Sequence, residues 1–329
     1  MQSPANPLGA PGSTRDTTTH APTSVPTRFV DSPRWLFWVP TLIWASTWHV
    51  ILYQLDEVPV LNSVGWRFAL ASIGLFALAL ARGDDWRVGT RLHGWLALTG
   101  VVQYSVNYWA VYEAERHIPS GLVAVLFSLM VFGNALSGSL MFGQRVTGRF
   151  LAAAGGGVVG VVLIFWPEVL SAGARPHAAL GLGCGLLAVT CACTGNALTL
   201  MLSRRGVPLI PMLAWSMGYG ALSLLLVAGA SGVGWQVGHG LAWWASLLYL
   251  AAFGSIAAFL MYFRLAQREG AARAALTGVL IPPIALTVSA LLEGWRPTGL
   301  SLAGMALCLL SVFVATRPAT NPAPVPDRP

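Results

Sequence analysis

The sequence predicts an all-α polytopic membrane protein with ten transmembrane helices arranged as two inverted five-helix repeats. Three observations lead there. Charged residues make up only 9% of the 329 and hydrophobic residues 55%, with a mean hydropathy of +0.66; an ordinary soluble domain carries about 25% charged residues. The apolar residues gather into segments of bilayer length, and the arginines between them alternate in number from one break to the next. The sequence also matches itself, without gaps, at an offset of 151 residues.

So few charges cannot build a polar shell, which excludes an ordinary water-soluble enzyme. There is no lysine, and Arg204-Arg205 is the only adjacent basic pair, so the basic balance belongs to span ends and nucleic acid is not a partner. The expected partners are the lipid bilayer and a small-molecule substrate. Cys184, Cys191, Cys193 and Cys308 all lie in apolar stretches, where a thiol acts as a small hydrophobe rather than as a disulfide or metal ligand. No metal or other cofactor is implied.

Residues 1–34 are rich in Pro, Ser and Thr and carry no apolar run, so they read as a disordered cytoplasmic tail rather than a signal peptide. Residues 317–329 read the same way. Between the tails, crossings are expected near 35–55, 61–81, 94–113, 119–142 and 149–167, which form the first repeat (35–167). The second repeat (179–316) follows as 179–202, 209–230, 242–263, 271–292 and 299–316. Membrane β-strands are a poor alternative, because these segments lack alternation of polar and apolar residues. With a cytoplasmic N-terminus, fifteen arginines fall on the inner side and three, Arg116, Arg175 and Arg296, on the outer side. That bias places both termini in the cytoplasm of a multi-pass protein of the plasma (inner) membrane. Trp35, Trp86, Trp95, Trp166, Trp235, Trp243, Trp244 and Trp295 stand near the expected boundaries, where indole rings favour the headgroup level.

The internal match is specific. Gly143, Arg145, Thr147, Gly148, Leu151 and Ala152 recur as Gly294, Arg296, Thr298, Gly299, Leu302 and Ala303. Trp66-Arg67 sits opposite Trp215-Ser216 at a slightly different offset. Five spans per copy is an odd number, so the second copy would enter the membrane upside down, an arrangement that suits alternating-access carriers.

The chain also resembles the EamA-type carriers of the drug/metabolite transporter superfamily. The residues that carry the likeness are Trp44-Ala-Ser-Thr-Trp-His-Val, Arg67-Phe-Ala-Leu-Ala, Gly121-Leu-Val-Ala-Val-Leu, Gly143-Gln-Arg-Val-Thr and Gly294-Trp-Arg-Pro-Thr. The likeness covers both halves and rests on the order of these pieces rather than on any one of them. It implies secondary transport of small metabolites, often export, without nucleotide hydrolysis. Two departures stand out: Gln144 and Trp295 occupy the place of the glutamate usual in the family's turn, and Val131 stands where the first half would carry the counterpart of Pro282.

Ionisable and amide groups inside hydrocarbon are costly, so each is a candidate for function. Arg67 is the one arginine within an expected span. It reads either as a cavity cation suited to a carboxylate or phosphate or as a residue snorkelling to the headgroups. His49 reads first as a neutral imidazole bonded to a neighbouring helix, and second as a substrate or proton contact. Gln103, Asn107 and Tyr108 lie at helical spacing in the third span and form a candidate polar lining. Asn134 and Asn196 are single amides, read more as interhelical glue than as ligands, and they complete the candidate cavity set. No Asp or Glu is expected at mid-membrane, and the run Glu113, Glu115, Arg116, His117 reads as a solvated helix end. A proton or sodium carrier built on a buried carboxylate therefore has no support in the sequence. Gly156-x-x-x-Gly160 and Gly181-x-Gly-x-Gly read as close-packing helix surfaces, since no Lys-Ser/Thr follows for a phosphate loop.

The function that fits is a secondary transporter, an exporter or exchanger, moving a small polar or amphipathic metabolite by alternating access. The alternatives are a polytopic enzyme acting on lipid and a membrane receptor or scaffold without transport.

Overall fold

The computed structural model describes residues 32–143, 147–170, 177–269, 274 and 277–316. Both expected tails fall almost wholly outside these residues, as do Gln144, Arg145, Arg175 and Arg273. Every regular element among the described residues is helical. They run as α1 (Pro33–Ile51), α2 (Val60–Arg82), α3 (Thr90–Thr99), a π-helical stretch (Gly100–Val106), α4 (Asn107–Glu115), α5 (Ser120–Phe127), α6 (Met130–Phe142) and α7 (Gly148–Leu170). Then come α8 (Ala178–Arg204), α9 (Leu209–Ala230), α10 (Leu241–Tyr249), a second π-helical stretch (Leu250–Ala257), α11 (Ala258–Glu269), α12 (Thr277–Leu292) and α13 (Gly299–Thr316).

Local chemistry sets the ends. Ser32 caps α1, its hydroxyl accepting from the Trp35 N–H at 3.5 Å, and Pro33 occupies the first turn, where no N–H is needed. Pro59, Pro119 and Pro208 hold the residues before α2, α5 and α9 away from helical geometry. Gly143 and Gly294 end α6 and follow α12 at φ of 67° and 68°, a left-handed conformation that glycine adopts without a Cβ penalty. They are a repeated pair in the sequence and a repeated turn in space.

Seven helical stretches among the described residues are long and apolar enough to cross a membrane: Pro33–Gln54, Val60–Arg82, Ser120–Met141, Gly148–Trp166, Ala178–Arg204, Leu209–Ala230 and Leu241–Ala266. The protein is therefore a multi-pass membrane protein. Three of the expected crossings do not meet both criteria. The run from Thr90 to Glu115 is long but studded with Gln103, Asn107, three tyrosines, Glu113 and Glu115. Near the C-terminal end, Leu280–Leu292 and Gly299–Ala315 are apolar but shorter. Large apolar side chains such as Leu140, Leu241 and Leu291 remain exposed, as a lipid-facing exterior requires. Of the eight tryptophans placed at boundaries, Trp243 and Trp295 are instead buried, at 0% and 9% exposure.

The two halves interlock. α2 packs along α9, and α7 along α13. Gly160 and Gly304 meet so closely that a Cβ on either would strike the other's carbonyl oxygen, and Gly156 faces Ser311. Gly181 and Gly185 press against Ile118 and Leu126, whereas Gly183 faces open space. Reciprocal bonds tie the halves at both ends: Trp66 Nε1 donates to the Gln236 carbonyl at 2.8 Å, and Trp215 Nε1 donates to the Trp86 carbonyl at 3.0 Å.

Candidate functional site

The bundle encloses a cavity of about 140 Å³ where α1, α2, α4, α5, α6, α8, α11 and α12 converge. The structure brings six of the seven sequence candidates to its wall: Arg67, Gln103, Asn107, Tyr108, Asn134 and Asn196. Trp44, Trp48, Phe127, Phe259 and Tyr262 supply an aromatic lining.

Irregular backbone positions these groups. The π-helical stretch Gly100–Val106 widens the helix just where Gln103 faces inward, and such insertions concentrate at functional sites. Gly100 permits this run to touch α9, since a Cβ there would collide with the Ser216 carbonyl oxygen. Behind the wall residue Trp44, the Gly254 carbonyl of the second π-helical stretch accepts from Trp44 Nε1 at 3.1 Å. The α5–α6 rod breaks at Ser128 and Leu129 without a proline, while Pro282 and Pro283 interrupt the hydrogen bonding of α12 beside Gly278. Both breaks flank the cavity.

Among the described residues Arg67 is the only charged one on the wall, and it is 1% exposed. Its Nε donates to Ser255 Oγ at 3.1 Å and its Nη1 to Tyr112 Oη at 3.5 Å. The guanidinium carbon stands 4.6 Å from the Tyr108 ring centre and 5.3 Å from that of Phe68, within cation–π range. No carboxylate lies within ion-pair distance of it among the described residues. Arg67 thus turns inward and does not snorkel.

Three amides form a chain across three rods: Gln103 Nε2 donates to Asn196 Oδ1 (3.5 Å) and Asn196 Nδ2 to Asn134 Oδ1 (3.3 Å), while Asn107 Nδ2 donates to the Gln103 main-chain carbonyl (3.1 Å). Gln103 Oε1, Asn107 Oδ1 and Trp48 Nε1 are buried and make no hydrogen bond among the described residues. A wall with one buried cation among the described residues, side-chain amides and aromatic rings can receive a small molecule bearing an anionic group and an apolar body.

His49 does not line the cavity. It sits between the wall residues Trp48 and Ile51 of α1 without joining them, and its Nδ1 is 3.1 Å from Glu293 Oε1. Glu293 also accepts from the Ser120 N–H at 3.2 Å, from the Ser120 hydroxyl, and from Ser289 Oγ at 2.8 Å. The run 113–117 is not uniformly solvated either. Arg116 and Glu113 pair at 3.2 Å near the surface, but Glu115 is buried at 6% exposure with neither carboxylate oxygen bonded. His117, in the following turn, faces His177 with ring centres 5.5 Å apart; partial burial first and the neighbouring imidazole second hold it below the usual histidine range. Sequence reasoning missed Glu115, Tyr112 and Gln54. Their one signal was helical spacing: Tyr108, Tyr112 and Glu115 share a face, and Tyr112 donates to Gln54 Oε1 at 3.0 Å.

Comparison with known proteins is consistent across sequence and fold. A probable amino-acid metabolite efflux pump of Escherichia coli (strain K12) is 24% identical over 281 residues, covering 83% of this chain and 91% of that protein. A probable terminal-alkyne amino-acid exporter of Streptantibioticus cattleyicolor is 25% identical over 287 residues, covering 86% and 93%. A solved crystal structure of another protein shares the fold with a TM-score of 0.62 at 17% identity, over 86% of this chain and 96% of that one. The family model described as the EamA-like transporter family matches residues 34–166 and again 180–317. Matched in both halves by one family model, the chain belongs to the EamA-like transporter family.

Proposed function

We propose that this protein is a secondary transporter that exports or exchanges a small amphipathic metabolite of amino-acid type by alternating access. In this reading ten crossings form two inverted five-helix halves, both termini lie in the cytoplasm, and the membrane is the plasma membrane. The observation that carries it is Arg67, a buried guanidinium on a cavity wall with no carboxylate within ion-pair distance among the described residues. A buried charge is tolerated when something neutralises it. In this reading a substrate carboxylate does so, while a substrate ammonium group meets the amide and aromatic side chains of the wall. The aromatic wall accommodates the apolar remainder. The names of the related efflux pump and exporter support the same substrate class.

The opposite orientation of the halves is supported by the 151-residue repeat with five rods per copy, by the doubled family match, and by the reciprocal tryptophan bonds. Such halves exchange roles when the cavity changes the side it opens to.

The test is efflux from proteoliposomes loaded with a mixture of the common L-amino acids, read by mass spectrometry. The expected result is protein-dependent loss of a subset of them, abolished by Arg67→Ala. No protein-dependent flux, or parental flux in Arg67→Ala protein that inserts normally, overturns the reading.

A further inference from the structure

Two carboxyl groups come together at the Glu293 end of the bundle, and their surroundings are opposite. Glu293 is saturated by Ser120, Ser289 and His49. Three donated hydrogen bonds and an imidazole nitrogen thus surround its two oxygens. Glu115 is more than nine-tenths buried, and both its oxygens lack a partner. An ionised carboxylate there would have no donor, so its surroundings favour the neutral, proton-carrying form.

Glu115 is nevertheless connected to the cavity. It lies on the face of α4 that carries Tyr108 and Tyr112, and Arg67 stacks on the first and donates to the second. The charged groups that act on it across helices are Glu293, just beyond α12, and Arg67 on α2. On its own helix and the following turn, Glu113 and Arg116 are paired with each other. α8 packs along α4 and offers Cys184, which lies close to Glu113, and His177 at its N-terminal end, which faces His117. α5 brings only Ser120, already engaged with Glu293, and His49 of α1 is held by the same carboxylate.

We propose that Glu115 is a proton-binding site, and that on losing its proton it becomes the alternative counter-ion of Arg67, in competition with the substrate's anionic group. The inference rests on the reading of Arg67 as an anion subsite. The step is a simple acid dissociation: the carboxyl O–H bond breaks, its electron pair stays on oxygen, and the proton passes to water. With an anion on Arg67, Glu115 keeps its proton; with Arg67 vacant, the proton is released more readily. Substrate binding is therefore linked to proton uptake at a residue that does not itself line the cavity.

The experiment is a pH titration of the full chain in lipid nanodiscs, followed by infrared difference spectroscopy of the carboxylic-acid C=O band. A protonated-carboxyl band is expected to persist at pH 7, to vanish in Glu115→Gln, and to remain in Glu293→Gln. In Arg67→Gln its midpoint is expected to move to higher pH by about one unit or more, the size of effect a neighbouring guanidinium exerts on a carboxylate. A parental protein without that band at pH 7, a band that survives Glu115→Gln, or a midpoint unmoved by Arg67→Gln overturns the proposal. Should a variant fail to insert, the parental titration alone still decides whether a carboxyl holds its proton. No transported substrate enters the measurement. Absence of flux from proteoliposomes would sink the carrier reading and leave the carboxyl band and its shift in Arg67→Gln unchanged, and the converse holds, so the two failures are told apart.

Discussion

The two π-helical stretches, Gly100–Val106 and Leu250–Ala257, occupy corresponding places in the two halves and carry different chemistry. The first and the helix after it present Gln103, Asn107 and Tyr108 to the cavity. At the 151-residue offset the second presents Gly254, Ala258 and Phe259. At the slightly shorter offset of 149 that pairs Trp66 with Trp215, Arg67 has Ser216 as its counterpart. The backbone deformation is shared, so it belongs to the scaffold, whereas most of the polar equipment resides in one copy. The second copy contributes space and acceptors: Gly254 and Ser255 make room for the Arg67 guanidinium and receive it. The lesson is that the duplicated frame fixes where the backbone opens, and the divergence between copies decides which side chains fill the opening.

Exchanging first-half residues for their second-half counterparts sharpens that comparison. Arg67→Ser installs the residue of the second copy and removes the cavity's lone charge. Transport by protein of normal abundance is expected to fall by about 100-fold or more, since truncating a buried, bonded charge costs roughly 2–5 kcal/mol. Initial rates of efflux measure it, and a loss below tenfold would break the claim that the polar half does the binding. Gly100→Ala copies Ala251. It is expected to destabilise the protein by about 1–3 kcal/mol, because the added methyl meets the Ser216 backbone, which cannot rotate away. The thermal midpoint in detergent reports this, with Gly183→Ala, which faces open space, as the silent control. The smallest steps are Asn107→Ala and Tyr108→Phe, which copy Ala258 and Phe259. Losing the Asn107 amide is expected to cost about five- to tenfold in apparent affinity, one hydrogen bond's worth. Tyr108→Phe keeps the ring under Arg67 and is expected to change affinity less than about threefold.

Much of the site was legible in the sequence because its residues break a strong local rule: Arg67, Gln103, Asn107, Asn134 and Asn196 are polar groups inside apolar segments. Periodicity alone then put Gln103 and Asn107 on one face. What stayed hidden depends on contacts far apart in the chain. Glu115 stands beside Arg116 and His117 and reads as a wet helix end; only the packing of α8 and of the Glu293 region around α4 buries it. His49 and Glu293 are 244 residues apart, and nothing local links them. The π-helical stretches leave no trace in periodicity, because spans that are apolar on most faces carry little periodic signal for an inserted residue to break. Near the C-terminus the described residues leave the shorter apolar stretches Leu280–Leu292 and Gly299–Ala315.

The reciprocal tryptophans have a consequence for how such a molecule tolerates change. Each half fastens a loop of the other through an indole donated to a main-chain carbonyl, a bond that does not depend on the identity of the side chain at the receiving position. Because the fastening exists twice, losing either one removes about 1 kcal/mol and leaves its twin in place. That redundancy lets one copy be retooled for chemistry while the assembly stays clasped, and the lopsided wall of the cavity is the outcome such freedom allows.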